Sequence, residues 1–186
     1  MLGGEVYEAI RSRRVTRSMS MQPVDPAQLE QVVRSARYAP NAGNRRLQPV
    51  LAIDDARHLR LLRMIAPGMI ARPTAAAVVC IDFGRAEQFG FRRETAGLFI
   101  DVGTTAATML LAAHALGLAA CPVTSFSRVA ADRLLGLDPD VSAQMIICLG
   151  HAGDPEAEPP LIGGWVRAGS RSDSASPRDQ SAGADH

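Results

Sequence analysis

The sequence predicts an α+β protein, or an α/β one, organised around a mixed sheet. Three observations lead there. Segments with apolar residues at helical spacing alternate with short continuous apolar runs of strand length, in the order α-α-β-α-β-α-β-α-β. Breakers stand where those segments meet, notably Pro40, Pro67-Gly68 and Gly117. At 186 residues, 47% of them hydrophobic, the chain is long enough for one domain with a real core.

Glu5 to Arg13 reads as a short helix with Val6, Ala9 and Ile10 on one face. Asp25 is a natural N-cap, with Pro26 at the first helical position and Gln28 third. That helix runs to Tyr38 or Ala39, turns Leu29, Val32, Val33 and Ala36 inward, and is stopped by Pro40. Pro49 to Ile53 is a strand, and Ala56 to Ile65 a helix closed by Pro67-Gly68. Thr74 to Asp82 is a continuous apolar run, the pattern of a strand buried on both faces. Gly84 to Arg93 reads as a polar connection containing Phe89 and Phe91. Thr95 to Leu116 is the longest helix, crowded with Ala, Gly and Thr and ended by Gly117. Cys121 to Phe126 is a strand or extended loop, Ser127 to Leu135 a helix capped by Ser127, and Ala143 to Leu149 another buried strand. Residues 1–153 form one domain in this reading. Residues 154–186, rich in Pro, Gly, Ser, Asp and Arg, form an irregular tail whose end is disordered.

Composition removes several function classes. A net charge of +1 leaves no global basic field for nucleic acid. All 20 residues counted as Lys or Arg are Arg, so lysine chemistry such as a Schiff base is excluded. The long helix contains Asp101 and His114, and it reads as a buried helix packed on a neighbour or on its own copy rather than a membrane span. Cys80, Cys121 and Cys148 are far apart and odd in number, which suits small buried hydrophobes in a reducing compartment. With no signal-peptide core at the N-terminus, the cytoplasm is the expected location. His58, His114, His151 and His186 show no metal-ligand spacing, Ser125 has no nucleophile-elbow sequence, and neither GxGxxG nor a Walker sequence occurs.

Three stretches could carry chemistry. Arg13, Arg14, Val15 and Arg17 lie at the end of the first helix. Arg13 and Arg17 share a face if that helix continues. Such a cluster is either a solvated basic surface or a phosphate site, because guanidinium makes paired charge-assisted hydrogen bonds to phosphate oxygens. Pro40, Asn41, Ala42, Asn44 and Arg46 lie in a loop around Gly43. They are either ordinary turn residues or amides offered at close approach to a flat polar heterocycle. Pro122, Val123, Thr124 and Ser125 are either a buried strand edge or a backbone segment facing a ring. Taken together, the arginines and the Asn/Gly loop suit a nucleotide-like cofactor, with flavin mononucleotide (FMN) the best fit.

In order and spacing these pieces resemble the nitroreductase family of flavoproteins. The matching stretches are Arg13–Arg17, Ala39–Arg45, Pro67-Gly68, Val78–Asp82, Ile100–Leu118, Cys121–Phe126 and Leu149–His151, and the likeness spans roughly residues 5–153. Within the family it is most similar to compact members, which include oxidases of cyclic dipeptides. The resemblance implies a three-layer sandwich with a mixed central sheet, dimeric, with FMN in a cleft between subunits. It implies that Arg13, Arg14 and Arg17 hold the phosphate and ribityl end, with Val15 where the family often has Ser. Asn41 and Asn44, from the other subunit, would meet the ring or ribityl chain, and Pro122, Val123 and Thr124 would line the ring. Arg46 stands where the family commonly has Gln. Family members usually bring a Lys/Arg pair back to the phosphate after the last strand, where this chain offers only Arg167. The chemistry implied is that of the flavin N5, with no catalytic protein side chain required. The implied activity is NAD(P)H-driven reduction of nitroaromatic, quinone-type or other small acceptors. The alternatives are an FMN-dependent oxidase or dehydrogenase of a small metabolite in secondary metabolism, and a non-catalytic flavin-binding or structural family member retained for its homodimer. A small-molecule substrate, and neither nucleic acid nor membrane, is the expected partner.

Overall fold

A computed structural model of the chain describes residues 3–153. The expected tail, including Arg167, lies outside the described residues. Six helices and four strands follow in the order α1 (Gly3–Ser12), α2 (Pro26–Ser35), β1 (Val50–Ile53), α3 (Ala56–Ile65), β2 (Ala75–Asp82), α4 (Phe83–Gln88), α5 (Ala96–Ala115), β3 (Ala119–Val123), α6 (Arg128–Leu134) and β4 (Val141–Gly150).

The sheet order is β1-β2-β4-β3. All three pairings are antiparallel, so among the described residues the sheet is not the mixed one expected. The alternation of helices and strands points to a mixed sheet, and the unbroken apolar run of β2, typical of parallel strands covered on both faces, agrees with that. Here helices cover both faces of an antiparallel sheet, and the run has the same cause. Ala75, Ala77, Val79 and Ile81 face a core shared with α2 and α5, through residues such as Val32, Leu98 and Met109. Ala76, Val78 and Cys80 face a second core shared with α3 and α6, through Leu59, Leu62 and Ala131. Every β2 residue from Ala75 to Ile81 is fully buried.

Helix ends follow the capping chemistry legible in the sequence. Asp25 accepts the N–H of Ala27 at 2.7 Å with Pro26 beginning α2, and Asp55 accepts that of His58 at 2.8 Å before α3. Ser127 caps α6 through Ala130 at 3.4 Å. After Ser35 the backbone tightens into a 3₁₀ turn, Ala36–Tyr38, before Pro40. Gly117 closes α5 with φ +74°, a conformation only glycine adopts freely. The connection expected over 84–93 is in part a helix. Asp82 caps α4 through Arg85 N–H at 2.9 Å, and Phe83 and Ala86 are buried. Gly84 masked it, yet a Cβ at that position would come within 3.1 Å of Asp140 Cβ, so the glycine serves packing rather than a turn.

β1 and β3 are the sheet edges. β3 contains Pro122, which an edge strand tolerates because its missing N–H would face outward.

Candidate cofactor-binding site

The arginine segment is not helical. α1 ends at Ser12, after which only Arg13 N–H still reaches back to the carbonyl of Ala9 at 3.0 Å. The chain then runs extended, so Arg13 and Arg17 do not share a helical face. Thr16 N–H donates to the carbonyl of Ala120 in β3 at 3.1 Å, Ser20 N–H to that of His151 at 2.9 Å, and Gly153 N–H to that of Ser18 at 3.0 Å. Residues 16–20 therefore lie across the ends of β3 and β4. The start of the segment is anchored to the far end of α5, where Ser12 Oγ lies 2.8 Å from Nε2 of His114. His114 is thus a satisfied packing histidine.

The side chains divide the work. Arg14 is exposed, and its Nη1 donates to the carbonyls of Arg11 (2.6 Å) and Arg13 (2.9 Å), closing the C-terminus of α1. Val15 is half-buried and packs with Met19 against the core on the α3/α6 side. Arg17 is half-buried. Arg13 is half-buried as well, and its Nη1 is sealed from solvent with no hydrogen-bond partner among the described residues. A buried guanidinium N–H lacking an acceptor costs about 1–3 kcal/mol.

Pro122 to Ser125 follow Ala120 along the same edge. Pro122 is half-buried, Val123 buried, and Thr124 and Ser125 exposed. The Pro67-Gly68 turn buttresses them. Gly68 N–H donates to the carbonyl of Ser125 at 3.1 Å, and a Cβ on Gly68 would fall 2.9 Å from Ser125 Cβ and 3.1 Å from Val123 Cγ1. Two of the three sequence-identified stretches are therefore brought together at the β3 edge.

The third is elsewhere. Asn41 staples its own loop: its Oδ1 accepts Arg46 N–H at 3.0 Å and its Nδ2 donates to the carbonyl of Ala39 at 3.2 Å. Gly43 (φ +60°), Asn44 (φ +54°) and Arg46 (φ +51°) are all left-handed. Asn tolerates that region, whereas at Arg46 it stores strain of the kind held by an over-determined loop. Asn44 is exposed, and its side-chain amide has no partner among the described residues. Arg46 and Asn41 border a cavity of about 340 Å³ together with Arg34, Arg37 and Val50. None of Arg13, Arg14, Arg17 or Pro122–Ser125 lines it.

The loop is fastened to the opposite end of α5. Ala42 N–H donates to Oδ2 of Asp101 at 2.9 Å, and Thr104 Oγ1 donates to the carbonyl of Pro40 at 2.8 Å. Asp101 and His114 are 13 residues apart on one helix, which at 1.5 Å per residue is about 20 Å. Within one copy of the chain the arginine segment and the Asn loop thus hang from different ends of α5. Asp101, Thr104, Ser12 and Gly68 were not recognisable as site residues from sequence. The signals present were the carboxylate inside a largely apolar helix and the Pro67-Gly68 breaker.

The model of the nitroreductase family matches residues 10–151. An FMN reductase [NAD(P)H] of Bacillus subtilis (strain 168) is 27% identical over 174 residues, covering 85% of this chain and 70% of that one. A nitroreductase family protein of Clostridium difficile 630 superposes with TM-score 0.69 at 25% identity, covering 79% of this chain and 84% of the other. An FMN-dependent nitroreductase of Clostridium difficile R20291 superposes with TM-score 0.68 over 80% of this chain and 88% of its own. At 19% identity, that last likeness concerns the fold alone.

Proposed function

The chain belongs to the nitroreductase family, and on that premise we propose that it is an FMN-dependent NAD(P)H oxidoreductase whose site is assembled from two copies. The observation that carries the proposal is the half-buried Arg13 guanidinium, which forms no ion pair with any described residue and belongs to the segment that Thr16 bonds to β3. A phosphate meeting the accessible nitrogens of that guanidinium would give an unpaired cation charge-assisted hydrogen bonds. The residues present fit the cofactor. Arg13 and Arg17 hold the phosphate end, Val15 packs beneath them, and Arg14 shapes the segment through its carbonyl contacts. Pro122, Val123, Thr124 and Ser125 present the wall for the ring. Pro40, Asn41, Ala42, Asn44 and Arg46 close the site from the other copy, with Asn44 supplying the amide that Asn41 uses within its own loop.

When bound, FMN supplies reversible two-electron chemistry between a nicotinamide and a small acceptor. The protein binds, orients and shields it, and no side-chain acid or base is assigned.

The pairing of copies is supported by the outward side of α5. Ile100 is 63% exposed, and Gly103 and Ala107 are exposed at the helical spacing that continues its stripe. α1 adds exposed Val6, Tyr7 and Ile10. An apolar surface of this kind marks an interaction site, and small residues at its centre let two helices approach closely. By length and composition α5 could also cross a membrane, but its inner side is packed on the sheet. A three-layer protomer, dimeric and cytoplasmic, is the form we assign, and its free thiols suit a reducing compartment.

The test is direct. Purified protein is titrated with FMN, and the holoprotein is mixed with NADPH or NADH without oxygen. Uptake of the flavin followed by loss of its visible band is expected. Protein that stays colourless with excess FMN would overturn the proposal. A holoprotein that neither nucleotide bleaches would point instead to an oxidase.

A further inference from the structure

A carboxylate on the inner side of an apolar helix is expensive unless something holds it. Asp101 is 7% exposed on α5 and forms no ion pair with any described residue. What it does hold is the N–H of Ala42, at 2.9 Å through Oδ2. One turn on, Thr104 Oγ1 donates to the carbonyl of Pro40 at 2.8 Å while lying 3.0 Å from the carbonyl of Asp101. The two side chains thus grip successive peptide groups of one loop. That loop bears left-handed backbone at Asn44 and Arg46, a shape the chain would not keep unsupported.

We propose that Asp101 is a positioning residue for the flavin site. Assisted by Thr104, it clamps the Pro40–Asn44 loop to α5 in the shape in which the loop is lent to the other copy. This rests on the two-copy site proposed above. The clamp touches no cofactor. It preorganises the loop, so that binding FMN need not order it. α5 then does two jobs: one end fixes the arginines of its own site through His114, and the other fixes the loop of its partner's site.

The test uses full-length protein, with FMN affinity, dimer mass and apo-protein Tm measured together. Asp101→Ala is expected to remain dimeric and to bind FMN about tenfold or more weakly, the loss that goes with one charge-assisted hydrogen bond. Asp101→Asn, whose amide oxygen can still accept the Ala42 N–H, is expected to recover most of that affinity. Two-tag co-purification then gives a heterodimer of Asp101→Ala with a subunit carrying Arg13→Ala and Arg17→Ala. One of its sites combines intact arginines with an intact loop, so one FMN per dimer should bind with wild-type affinity. Wild-type affinity in the Asp101→Ala homodimer would overturn the clamp, whereas a heterodimer without a tight site would overturn the two-copy site on which the clamp rests. Should Asp101→Ala not fold, Thr104→Val decides, and an unchanged affinity there overturns the clamp as well. Failure of the wild-type protein to take up FMN is a different outcome. It removes the reading on which the clamp rests.

Discussion

Thr16 and Ala120 are joined by a backbone hydrogen bond of 3.1 Å, and this bond lays the arginine segment along the outer edge of β3. It replaces the helical continuation that would have put Arg13 and Arg17 on one face. We predict that Thr16→Pro, which deletes the N–H, weakens FMN binding about two- to tenfold, the range for loss of one ordinary hydrogen bond. Titration of the variant with FMN checks it, and an affinity equal to wild type would show that the bond does not place the arginines.

The arginines themselves should not be equivalent. Arg13→Ala together with Arg17→Ala is predicted to abolish FMN retention while leaving the dimer, since each lost charge-assisted contact is worth about 1.5–3 kcal/mol. Arg14→Ala should act mainly on stability, because its Nη1 is engaged with the carbonyls of Arg11 and Arg13. Copurified flavin and melting temperature, measured on both variants, separate the two effects. A flavin-free Arg14→Ala protein with an unchanged Tm would contradict the division.

How far these features are legible in the sequence depends on whether their cause is local. α3 is readable to the residue because Asp55 caps it and Pro67-Gly68 follows it closely. β2 is readable as doubly buried, but its partners' direction is not, since antiparallel neighbours covered by helices on both faces demand the same apolar run. α4 is hidden behind Gly84, whose lack of a side chain answers to Asp140, a residue far along the chain. At the site, the residue types are visible as motifs. Their division of labour is not, because it is set by partners distant in sequence: Ala120 for Thr16, Asp101 for Ala42, Ser125 for Gly68.

Gly68 is the most sensitive single position in that set. A methyl group there would sit 2.9 Å from Ser125 Cβ, closer than real Cβ contacts come, and 3.1 Å from Val123 Cγ1, tighter than most. Gly68→Ala is predicted to destabilise the protein by about 1–3 kcal/mol, the usual range for overpacking. It should also displace the Val123–Ser125 segment, so FMN affinity should fall with the melting temperature. A variant with wild-type Tm and affinity would mean that the turn yields freely.

The outward stripe of α5 gives a prediction about assembly. Ile100 is 63% exposed and tips that stripe, so Ile100→Arg should cost little within one protomer but place two buried like charges at a paired face. The variant is expected to elute as a monomer with the wild-type far-UV spectrum and no flavin. A flavin-loaded monomer would show that one copy suffices for the site.

The buried thiols supply the pH-dependent prediction. Burial, with the Asp132 carboxylate as a lesser cause, pushes Cys80 up to about 12. Burial and the neighbouring Cys121 do the same for Cys148, also to about 12, against the opposing pull of Arg63. In the unfolded chain these thiols ionise near 9.0. Below that value both states carry the proton and the native state loses nothing. As pH climbs from 9.0 towards 12 the unfolded chain releases protons that the folded chain keeps, so stability falls across that alkaline window. A thiol held protonated and out of solvent is also a poor nucleophile. At neutral to mildly alkaline pH, Cys80 and Cys148 in the native protein should therefore resist a disulfide reagent that counts all three cysteines after denaturation. Replacing both by alanine or valine should flatten the alkaline decline in denaturation midpoint. If the decline persisted unchanged in that double variant, the titrating groups would lie elsewhere.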